Sequence, residues 1–394
     1  MNLAAVAGDL QRCGHEVVVL TGFPNHPFGK TYDGYRQSLR QWDEVDGVQV
    51  LRVPLRPYHG LSALGRAVNY CSFALSASLI GAPTLRDFNA DVILVYLPPL
   101  TNWLPLRVLR MTQRAPAVCW MTDMWPEALV AAGARVRPSV LRSIRRLEDS
   151  LYRQLSTICV NSPGIKRKLI EKGVPEHKIE VIVDWADEEL FRPTAYDPEL
   201  ARDFGMAGMF NVVYGGNLGP AQGLSTVIDA AAVLKDIEDL QLVLIGDGEE
   251  KATLMEVAAA RGVTNVRFVP RQPMTEIHRF FALADVLLLH LKDDPLYEMQ
   301  IPSKTMAYLA CGRPILCAVA GNAAAVVDAA GAGICTRPGD AAAMAAAIRR
   351  LHGLSVQERQ HLGDLGRASY LANYTRRKQV ARFEEVLRVA AGAS

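Results

Sequence analysis

The sequence predicts an α/β protein made of two Rossmann-like domains, each a doubly wound parallel sheet with helices on both faces. Short runs rich in Val, Ile and Leu alternate along the chain with longer stretches rich in Ala, Leu and Arg. The runs are apolar at nearly every position, which is typical of strands buried on both faces. They fall into two series, and 394 residues are enough for two domains of this kind.

The first domain is predicted to span residues 1–192. It opens with a helix from Leu3 to Arg12, which Gly14 ends. A doubly wound domain ordinarily starts with a strand and a loop ahead of such a helix, so we expect the first strand of this sheet to be missing. The other strands are predicted at 17–21, 48–53, 91–96, 117–120, 157–160 and 179–183.

The polar, proline-bearing stretch Phe191–Pro198 is predicted to join the domains. The second domain spans residues 193–372, and its strands are predicted at 211–214, 240–245, 266–269, 285–289, 314–317 and 333–335. A basic segment at about 373–391 has helical character and no strand after it. In two-domain proteins of this design such a helix commonly packs back on the first domain, and we expect the same here.

Composition and charge exclude several classes of protein. The net charge of +2 gives no whole-molecule argument for binding nucleic acid. The seven cysteines are scattered, without a Cys-x-x-Cys pair or zinc spacing, so no metal site is predicted and a reducing cytoplasm fits best. The N-terminus lacks a basic-then-apolar signal. The longest uncharged stretch, Ala67–Leu85, includes Asn69 and three serines, so a buried helix is predicted rather than a membrane span.

The strongest local signal is a glycine-rich segment after the first strand of the second domain. Gly215, Gly216 and Asn217 are followed by two further glycines and then by helix-forming residues. A strand that leads through glycines into a helix N-terminus presents backbone N–H groups and a positive dipole to an anion. Gly246 repeats the pattern after the next strand, which favours a phosphate or nucleotide site. An ordinary tight turn between strand and helix is the alternative.

A second signal is the helix start at Ser303, Lys304 and Thr305, which follows Pro302 and ends at Gly312. Its free N–H groups and the Lys304 ammonium group would meet the second face of a diphosphate. Two helix N-termini and a lysine can stabilise a departing diphosphate without a metal ion. A solvated surface lysine is the alternative for Lys304.

Acidic residues are the candidates for contacts with the reacting part of a ligand. Asp123 follows a strand of the first domain at its carboxyl end, where ligands bind in open parallel sheets. A helix N-cap is the alternative for Asp123. Glu298 could bind hydroxyl groups, although an exposed loop carboxylate fits the pattern as well. The adjacent Asp293 and Asp294 are weak evidence for a metal and are expected to be solvated.

The segment Arg135–Arg153 is basic and amphipathic. Arg142, Arg145 and Arg146 lie outside an apolar stripe at helical spacing, which consists of Leu141, Ile144, Leu147, Leu151 and Leu155. A helix of this kind can dock on anionic lipid or on a lipid pyrophosphate. The alternative is a helix whose apolar stripe packs against the core and whose arginines face solvent.

Seven segments together resemble glycosyltransferase family 4, and within it the WbuB-like enzymes of bacterial surface-polysaccharide assembly. They cover nearly the whole chain and are Gly14–Asn25, Asp123–Glu127, Ser162–Lys166, Gly173–Ile179, Tyr214–Gly219, Leu291–Glu298 and Ile301–Thr305. The resemblance implies the GT-B fold, in which two Rossmann-like domains face a cleft. It also implies retaining transfer of a sugar from a nucleotide diphosphate donor that the second domain mainly holds.

The resemblance further assigns roles to individual residues. Gly216 and Asn217 would face the diphosphate on one side, and the helix start at Lys304 would face it on the other. Glu298 would lie near the donor sugar and Asp123 near the reaction centre. Such enzymes are thought to react on one face of the sugar, with the leaving phosphate helping to take the acceptor's proton. No protein nucleophile, cofactor or metal is therefore expected.

Four positions depart from the family's pattern. Many members carry two glutamates eight residues apart, the second of which binds the ribose, and Met299 and Ala307 stand at these positions here. The Arg and Lys that many relatives use on the phosphates are replaced by Asn217 and Gln222. The ribose and phosphate contacts are therefore expected to differ from those of many relatives.

The leading hypothesis is transfer of an N-acetylated deoxyhexose from a UDP-linked donor to a polyprenyl-pyrophosphate-linked saccharide. The enzyme would be cytoplasmic, with peripheral contact to the inner membrane through Arg142, Arg145 and Arg146. A nucleotide-sugar epimerase of the same architecture is one alternative, but it would need further acid/base carboxylates, and the sequence offers no clear set. A non-catalytic nucleotide-sugar-binding subunit is another, suggested by the missing first strand.

Overall fold

A computed structural model of the chain describes residues 3–26, 28–60, 62–125, 127 and 137–392. The chain forms two units. Unit 1 comprises Met1–Asn161, Lys166–Ile182 and Val380–Ser394, and unit 2 comprises Ser162–Ile165 and Val183–Gln379. The main division of the chain, between Ile182 and Val183, falls ahead of the join predicted at residue 192.

The helices and strands of the described residues alternate along most of the chain. The strands are β1 (Val18–Gly22), β2 (Gln41–Val45), β3 (Val48–Val53), β4 (Ile93–Leu97), β5 (Ala117–Met121), β6 (Thr157–Val160), β7 (Ile179–Val181), β8 (Phe210–Asn217), β9 (Leu240–Asp247), β10 (Val266–Val269), β11 (Val286–His290), β12 (Ile315–Ala318) and β13 (Gly333–Cys335). The helices are α1 (Leu3–Arg12), α2 (Ala63–Ser76), α3 (Trp103–Gln113), α4 (Pro138–Gln154), α5 (Pro163–Glu171), α6 (Pro198–Asp203), α7 (Ser225–Val233), α8 (Lys251–Ala260), α9 (Ile277–Ala282), α10 (Pro295–Glu298), α11 (Ser303–Cys311), α12 (Asn322–Ala330), α13 (Ala341–His352), α14 (Val356–Asn373) and α15 (Arg376–Ala391).

The described strands of unit 1 form two sheets. One has the order β1-β3-β2, with β1 and β3 parallel, and the other has the order β4-β5-β6-β7 and is parallel throughout. Among the described residues, β1 and β4 each pair with one neighbour only, and the side chains of β1 are all half-buried. The six strands predicted for this domain are all present, but they do not form one continuous sheet.

The strand β2 was not predicted. It pairs antiparallel with β3 through a two-residue turn at Asp46 and Gly47, which both have positive φ. A right-handed strand twist favours this type of hairpin turn. The strand escaped prediction because its sequence is mostly polar and its side chains are half-buried or exposed.

The C-terminal helix α15 belongs to unit 1 from Val380 onward. Phe383 is fully buried, and its ring lies 4.7 Å from that of Trp120 on β5, centroid to centroid. The His15 Nε2 atom lies 3.0 Å from the Glu384 carboxylate, which adds a contact near the end of α1. The last helix of the chain therefore packs among the elements of the first unit.

Unit 2 contains one parallel sheet of six strands in the order β10-β9-β8-β11-β12-β13. The chain runs outward from β8 to β10 and then crosses back to β11 on the other side of β8. The carboxyl ends of β8 and β11 are therefore the topological switch point, where ligands bind in open α/β sheets. The fold class predicted from the apolar runs, two-domain α/β with parallel sheets, is confirmed.

Candidate functional site

The glycine-rich segment extends the strand β8 instead of forming a loop. Gly215, Gly216 and Asn217 continue the parallel pairing with β9, and Gly216 lies opposite Gly246. A Cβ atom at Gly246 would lie 1.8 Å from the carbonyl oxygen of Gly216, so only glycine permits this approach of the two backbones. The turn itself begins after Asn217 and leads through a short helical turn, Pro220–Gln222, into α7.

Lys304 lies beside this end of β8. Its ammonium group donates a hydrogen bond to the Tyr214 hydroxyl group at 2.5 Å and sits 3.9 Å from the centroid of the Tyr214 ring. The Tyr214 hydroxyl group in turn donates to the Asn217 carbonyl oxygen at 2.8 Å. A Cβ atom at Gly216 would lie 2.7 Å from the Lys304 Nζ atom, so glycine at this position also makes room for the lysine.

Among the described residues, the Lys304 side chain has no carboxylate partner. Burial lowers the pKa of Lys304 to about 7. A buried ammonium group needs a compensating charge or hydrogen bonds. The ring and hydroxyl group of Tyr214 supply part of this compensation, and a bound anion would supply the rest.

The turn after β8 is held by side-chain amides and a histidine. The Gln222 Oε1 atom accepts hydrogen bonds from the Asn217 side chain and from the Gly219 backbone, both at 3.2 Å. The His290 Nδ1–H group, at the end of β11, donates to the Gln222 carbonyl oxygen at 2.6 Å. Asn217 and Gln222, two of the positions expected to depart from the family's pattern, thus bond to each other, while the exposed Asn217 side chain borders the site.

The three residues predicted at the start of α11 lie in different environments. Ser303 is exposed, and Lys304 reaches toward β8. Thr305 is fully buried, and its backbone N–H group donates to the Pro302 carbonyl oxygen at 2.8 Å. The N-cap residue Pro302 makes no side-chain cap to this helix.

Two of the acidic residues considered in unit 2, Asp294 and Glu298, have different environments. Asp294 caps α10 by accepting a hydrogen bond from the Leu296 backbone at 2.9 Å, which explains one member of the Asp293–Asp294 pair. Glu298 ends α10, and its side chain is exposed. Its carbonyl oxygen accepts from the Asn322 side chain at 2.9 Å, which fixes the backbone at this point.

Asp123 lies in unit 1 and follows β5, with its side chain exposed. It borders a small cavity at the carboxyl ends of β4 and β5, together with Leu97, Pro98, Leu100, Met121, Trp125, Glu148 and Tyr152. The predicted position at the end of a parallel strand is therefore where the structure places Asp123.

A buried ionic network lies beside this cavity. Lys172 pairs with Glu127 at 2.9 Å and with Glu148 at 3.1 Å, and the Tyr152 hydroxyl group donates to Glu148. Glu148 is 2% exposed, and burial raises the pKa of its carboxyl group. The network joins the segment after β5 to α4 and to the turn that follows α5.

The basic segment forms α4. Leu151 and Tyr152 are buried, whereas Arg142, Arg145 and Arg146 are exposed. The first two residues of the segment, 135 and 136, lie outside the described residues. Within the described part of the chain, no helix is long and apolar enough to cross a membrane.

Sequence reasoning missed Tyr214, His290 and Lys172. Tyr214 was read as part of an apolar strand, and His290 as the residue that follows one. The one available signal was position, because both residues stand at the carboxyl ends of strands next to a switch point. Lys172 stands in the turn after α5 without a local motif, so its buried partners could not be predicted.

Two α/β units of this kind, the second with a glycine-lined switch point next to a lysine, are typical of glycosyltransferases with the GT-B fold. Residues 3–185 match the model of the glycosyl transferase 4-like domain, and residues 208–368 match that of glycosyl transferases group 1. The two matches together cover most of the chain, which belongs to glycosyltransferase family 4. The resemblance predicted from the seven segments is confirmed.

Comparisons with individual proteins agree with this family and fold. WcaI of Escherichia coli, a glycosyl transferase named for colanic acid biosynthesis, is 28% identical over 357 residues, which are 86% of this chain and 84% of WcaI. The structure of sucrose-phosphate synthase from Thermosynechococcus elongatus has a TM-score of 0.75 at 17% identity, covering 99% of this chain and 92% of the synthase. The structure of Anabaena HepE in complex with UDP and glucose has a TM-score of 0.69 at 18% identity, covering 95% and 99%. The structural likeness at these identities shows the fold.

Proposed function

We propose that the chain is a retaining, metal-independent glycosyltransferase that moves a sugar from a UDP-linked donor to a polyprenyl-pyrophosphate-linked saccharide in bacterial surface-polysaccharide biosynthesis. The observation that carries this proposal is the Lys304 ammonium group, which lies beside the glycine-lined end of β8 and has no carboxylate partner in the described part of the chain. The name of WcaI supports the polysaccharide pathway, and the UDP complex of HepE supports the donor nucleotide.

In this proposal the diphosphate occupies the switch point of unit 2. The backbone of Gly215, Gly216 and Asn217 borders it on one side, since glycine allows close approach of the main chain. Lys304, Ser303 and the N–H groups at the start of α11 lie on the other side. Together they neutralise the charge that grows on the diphosphate as the bond to the sugar breaks.

Two carboxylates, those of Glu298 and Asp123, are proposed to contact the donor sugar and the acceptor. Glu298 would bind hydroxyl groups of the donor sugar, since it is exposed at the end of a helix in the same unit as Lys304. Asp123 would contact the acceptor hydroxyl group or the reacting sugar from unit 1. The leaving phosphate would receive the acceptor's proton on the same face, so that the anomeric configuration is retained without a protein nucleophile.

Donor binding is the first test. Calorimetric titration of the chain with UDP in EDTA is expected to give saturable binding, which Lys304→Ala weakens at least tenfold, because a hydrogen bond to a charged group contributes about 1.5–3 kcal/mol. Lys292→Ala is the matched control, since Lys292 is an exposed lysine near the turn whose side chain carries no assigned role. Absence of binding to UDP and to the other nucleoside diphosphates would refute the donor site.

Transfer is the second test. A panel of UDP-sugars, including N-acetylated deoxyhexoses, is incubated with undecaprenyl-pyrophosphate-linked saccharides, and UDP release and product are measured. The anomeric coupling constant of the product, measured by NMR, is expected to match that of the donor. An inverted product would refute the retaining mechanism, and UDP binding without any turnover would favour the non-catalytic alternative.

A further inference from the structure

The backbone at Glu298 and Met299 is held by side chains from two distant parts of the chain. These two residues stand at the end of α10, in the segment that joins β11 to α11. The Asn322 side chain donates a hydrogen bond to the Glu298 carbonyl oxygen at 2.9 Å, and the Ser162 hydroxyl group donates one to the Met299 carbonyl oxygen. Two consecutive carbonyl groups are therefore each bound by a polar side chain.

The two donor side chains are buried and stand at helix starts. Ser162 is fully buried, and Asn322 is 8% exposed. The Ser162 hydroxyl group also accepts a hydrogen bond from the Ile165 backbone, at 3.2 Å, in the first turn of α5, and Asn322 is the first residue of α12. Ser162–Ile165 belong to unit 2, although the residues on both sides belong to unit 1, so all these contacts lie within one unit.

Two glycines allow the backbone at Met299 to come this close. A Cβ atom at Gly164 would lie 2.3 Å from the Asn322 Nδ2 atom and 2.6 Å from the Met299 Cα atom. A Cβ atom at Gly321 would lie 2.1 Å from the Glu298 carbonyl oxygen, and the φ of 74° at Gly321 also favours glycine. We call the four residues that hold this backbone the carbonyl clamp, and they are Ser162, Gly164, Gly321 and Asn322.

Local structure alone does not fix the position of Glu298. The helix α10 is four residues long, and helices this short are not stable by themselves. Leu296 and Ile301 are buried on either side, whereas the Glu298 side chain is exposed. The direction in which the Glu298 carboxylate leaves the backbone therefore depends on the carbonyl clamp.

We propose that Ser162 and Asn322 are positioning residues for Glu298 in sugar transfer. They would hold the backbone so that the Glu298 carboxylate lies within hydrogen-bond distance of the hydroxyl groups of the donor sugar, which requires placement to about 0.5 Å. This inference rests on the role proposed above for Glu298. The hydrogen bonds of the clamp do not involve Lys304, so the clamp should affect use of the sugar and not affinity for UDP.

Single variants test the proposal on the full chain. Ser162→Ala and Asn322→Ala should each lower kcat/KM at least tenfold for the donor found in the panel of UDP-sugars, because a displacement of about 1 Å can cost about a hundredfold. The Kd for UDP should stay within about twofold of the wild type. Asn265→Ala is the matched control, since the Asn265 side chain also donates to a backbone carbonyl oxygen, that of Ala231, at 3.0 Å, but at the amino end of β10. It should lower Tm without changing kcat/KM.

Combination with Glu298→Ala separates positioning from general destabilisation. If Ser162 acts through Glu298, Ser162→Ala in a Glu298→Ala background should cost less than about twofold in further kcat/KM, since the group that it positions is already gone. Full additivity of the two losses would overturn the proposal. An equal loss of affinity for UDP itself, or unchanged transfer by both clamp variants, would overturn it as well.

Hydrogen exchange gives a readout that does not depend on activity. The backbone amides from Tyr297 to Ile301 should exchange faster in Ser162→Ala and in Asn322→Ala than in the wild type, because the clamp no longer holds this segment. Unchanged exchange in both variants would contradict the clamp. A wild-type chain that binds UDP but transfers no sugar would instead refute the transfer proposal, and with it the role of Glu298 on which this inference rests.

Discussion

The Lys304 ammonium group lies 3.9 Å from the centroid of the Tyr214 ring and donates a hydrogen bond to the hydroxyl group of the same residue. One tyrosine therefore contacts the cation through its ring and through its oxygen atom. Because the same hydroxyl group donates to the Asn217 carbonyl oxygen, the position of the lysine is coupled to the end of β8. Tyr214 is thus a positioning residue for the proposed diphosphate site.

Tyr214→Phe should weaken UDP binding modestly. The ring remains beside the ammonium group, but the hydrogen bond is lost, which costs about 1 kcal/mol or roughly fivefold in Kd. Tyr214→Leu should cost more, because the cation–π contact is lost as well. Tyr152→Phe, another buried tyrosine with a bonded hydroxyl group, should lower stability without changing the Kd for UDP. An equal loss of affinity in Tyr152→Phe would show that general destabilisation causes the effect.

UDP affinity should fall as the pH rises above about 7. In the empty site Lys304 has a pKa of about 7, so its proton is lost as the pH rises through this value. A bound diphosphate favours the charged form and keeps the proton, so binding takes up a proton in this range. The loss of affinity can approach tenfold per pH unit up to the pKa of the bound state.

The other groups near Lys304 should not titrate in this window. Burial lowers the pKa of His290 and raises the pKa of Tyr214, so both stay neutral above about pH 7. The last ionisation of a phosphate group lies near pH 6. Titrations in buffers with different ionisation enthalpies should therefore detect uptake of up to one proton, and Lys304→Met should abolish it. A pH-independent Kd from about pH 7 to 9 would contradict the prediction.

The parallel core of the fold could be predicted because buried strands leave long apolar runs. Strands such as β5 and β9, which are buried almost throughout, stood out for this reason. The polar strand β2 did not, although the Asp46–Gly47 dipeptide is a hairpin signal. The exposure of Leu75 and Leu79, which makes the prediction of a buried helix at Ala67–Leu85 wrong for one face, could not be predicted either, since an apolar helix ordinarily buries its leucines.

The candidate site could be predicted in part. The sequence pointed to Gly216 and to Lys304 as two sides of one anion site, and the structure brings them into contact range. The sequence did not indicate that Gly215 to Asn217 remain in the strand, because glycine after a strand usually marks a turn. The burial of Thr305 follows from the direction in which α11 enters the core, which no local pattern encodes.

Gly216→Ala should weaken UDP binding about tenfold, because the new methyl group would displace the Lys304 ammonium group, 2.7 Å from the Cβ position, and lose a charge-assisted contact. The φ of 147° adds backbone strain that lowers Tm. Gly208→Ala is the control, since Gly208 also has a positive φ but no atom within 4 Å of its Cβ position, so only Tm should fall. In a Lys304→Ala background, Gly216→Ala should cost little further affinity. If the losses of UDP affinity in Gly216→Ala and Lys304→Ala were fully additive, Gly216 would affect UDP binding by a route other than the position of Lys304.

Lys172→Met should destabilise unit 1 strongly, because it leaves Glu148 buried without its cation and removes the partner of Glu127. Breaking a buried ion pair from one side costs about 3–5 kcal/mol, whereas removing both charges is often nearly neutral. Glu148→Gln added to Lys172→Met should therefore recover much of the loss, and urea unfolding would measure both variants. Lys168→Met, which removes an exposed lysine paired with Glu171, should change stability by less than about 1 kcal/mol. If the double variant were as unstable as Lys172→Met alone, loss of packing rather than an unpaired buried charge would be the cause.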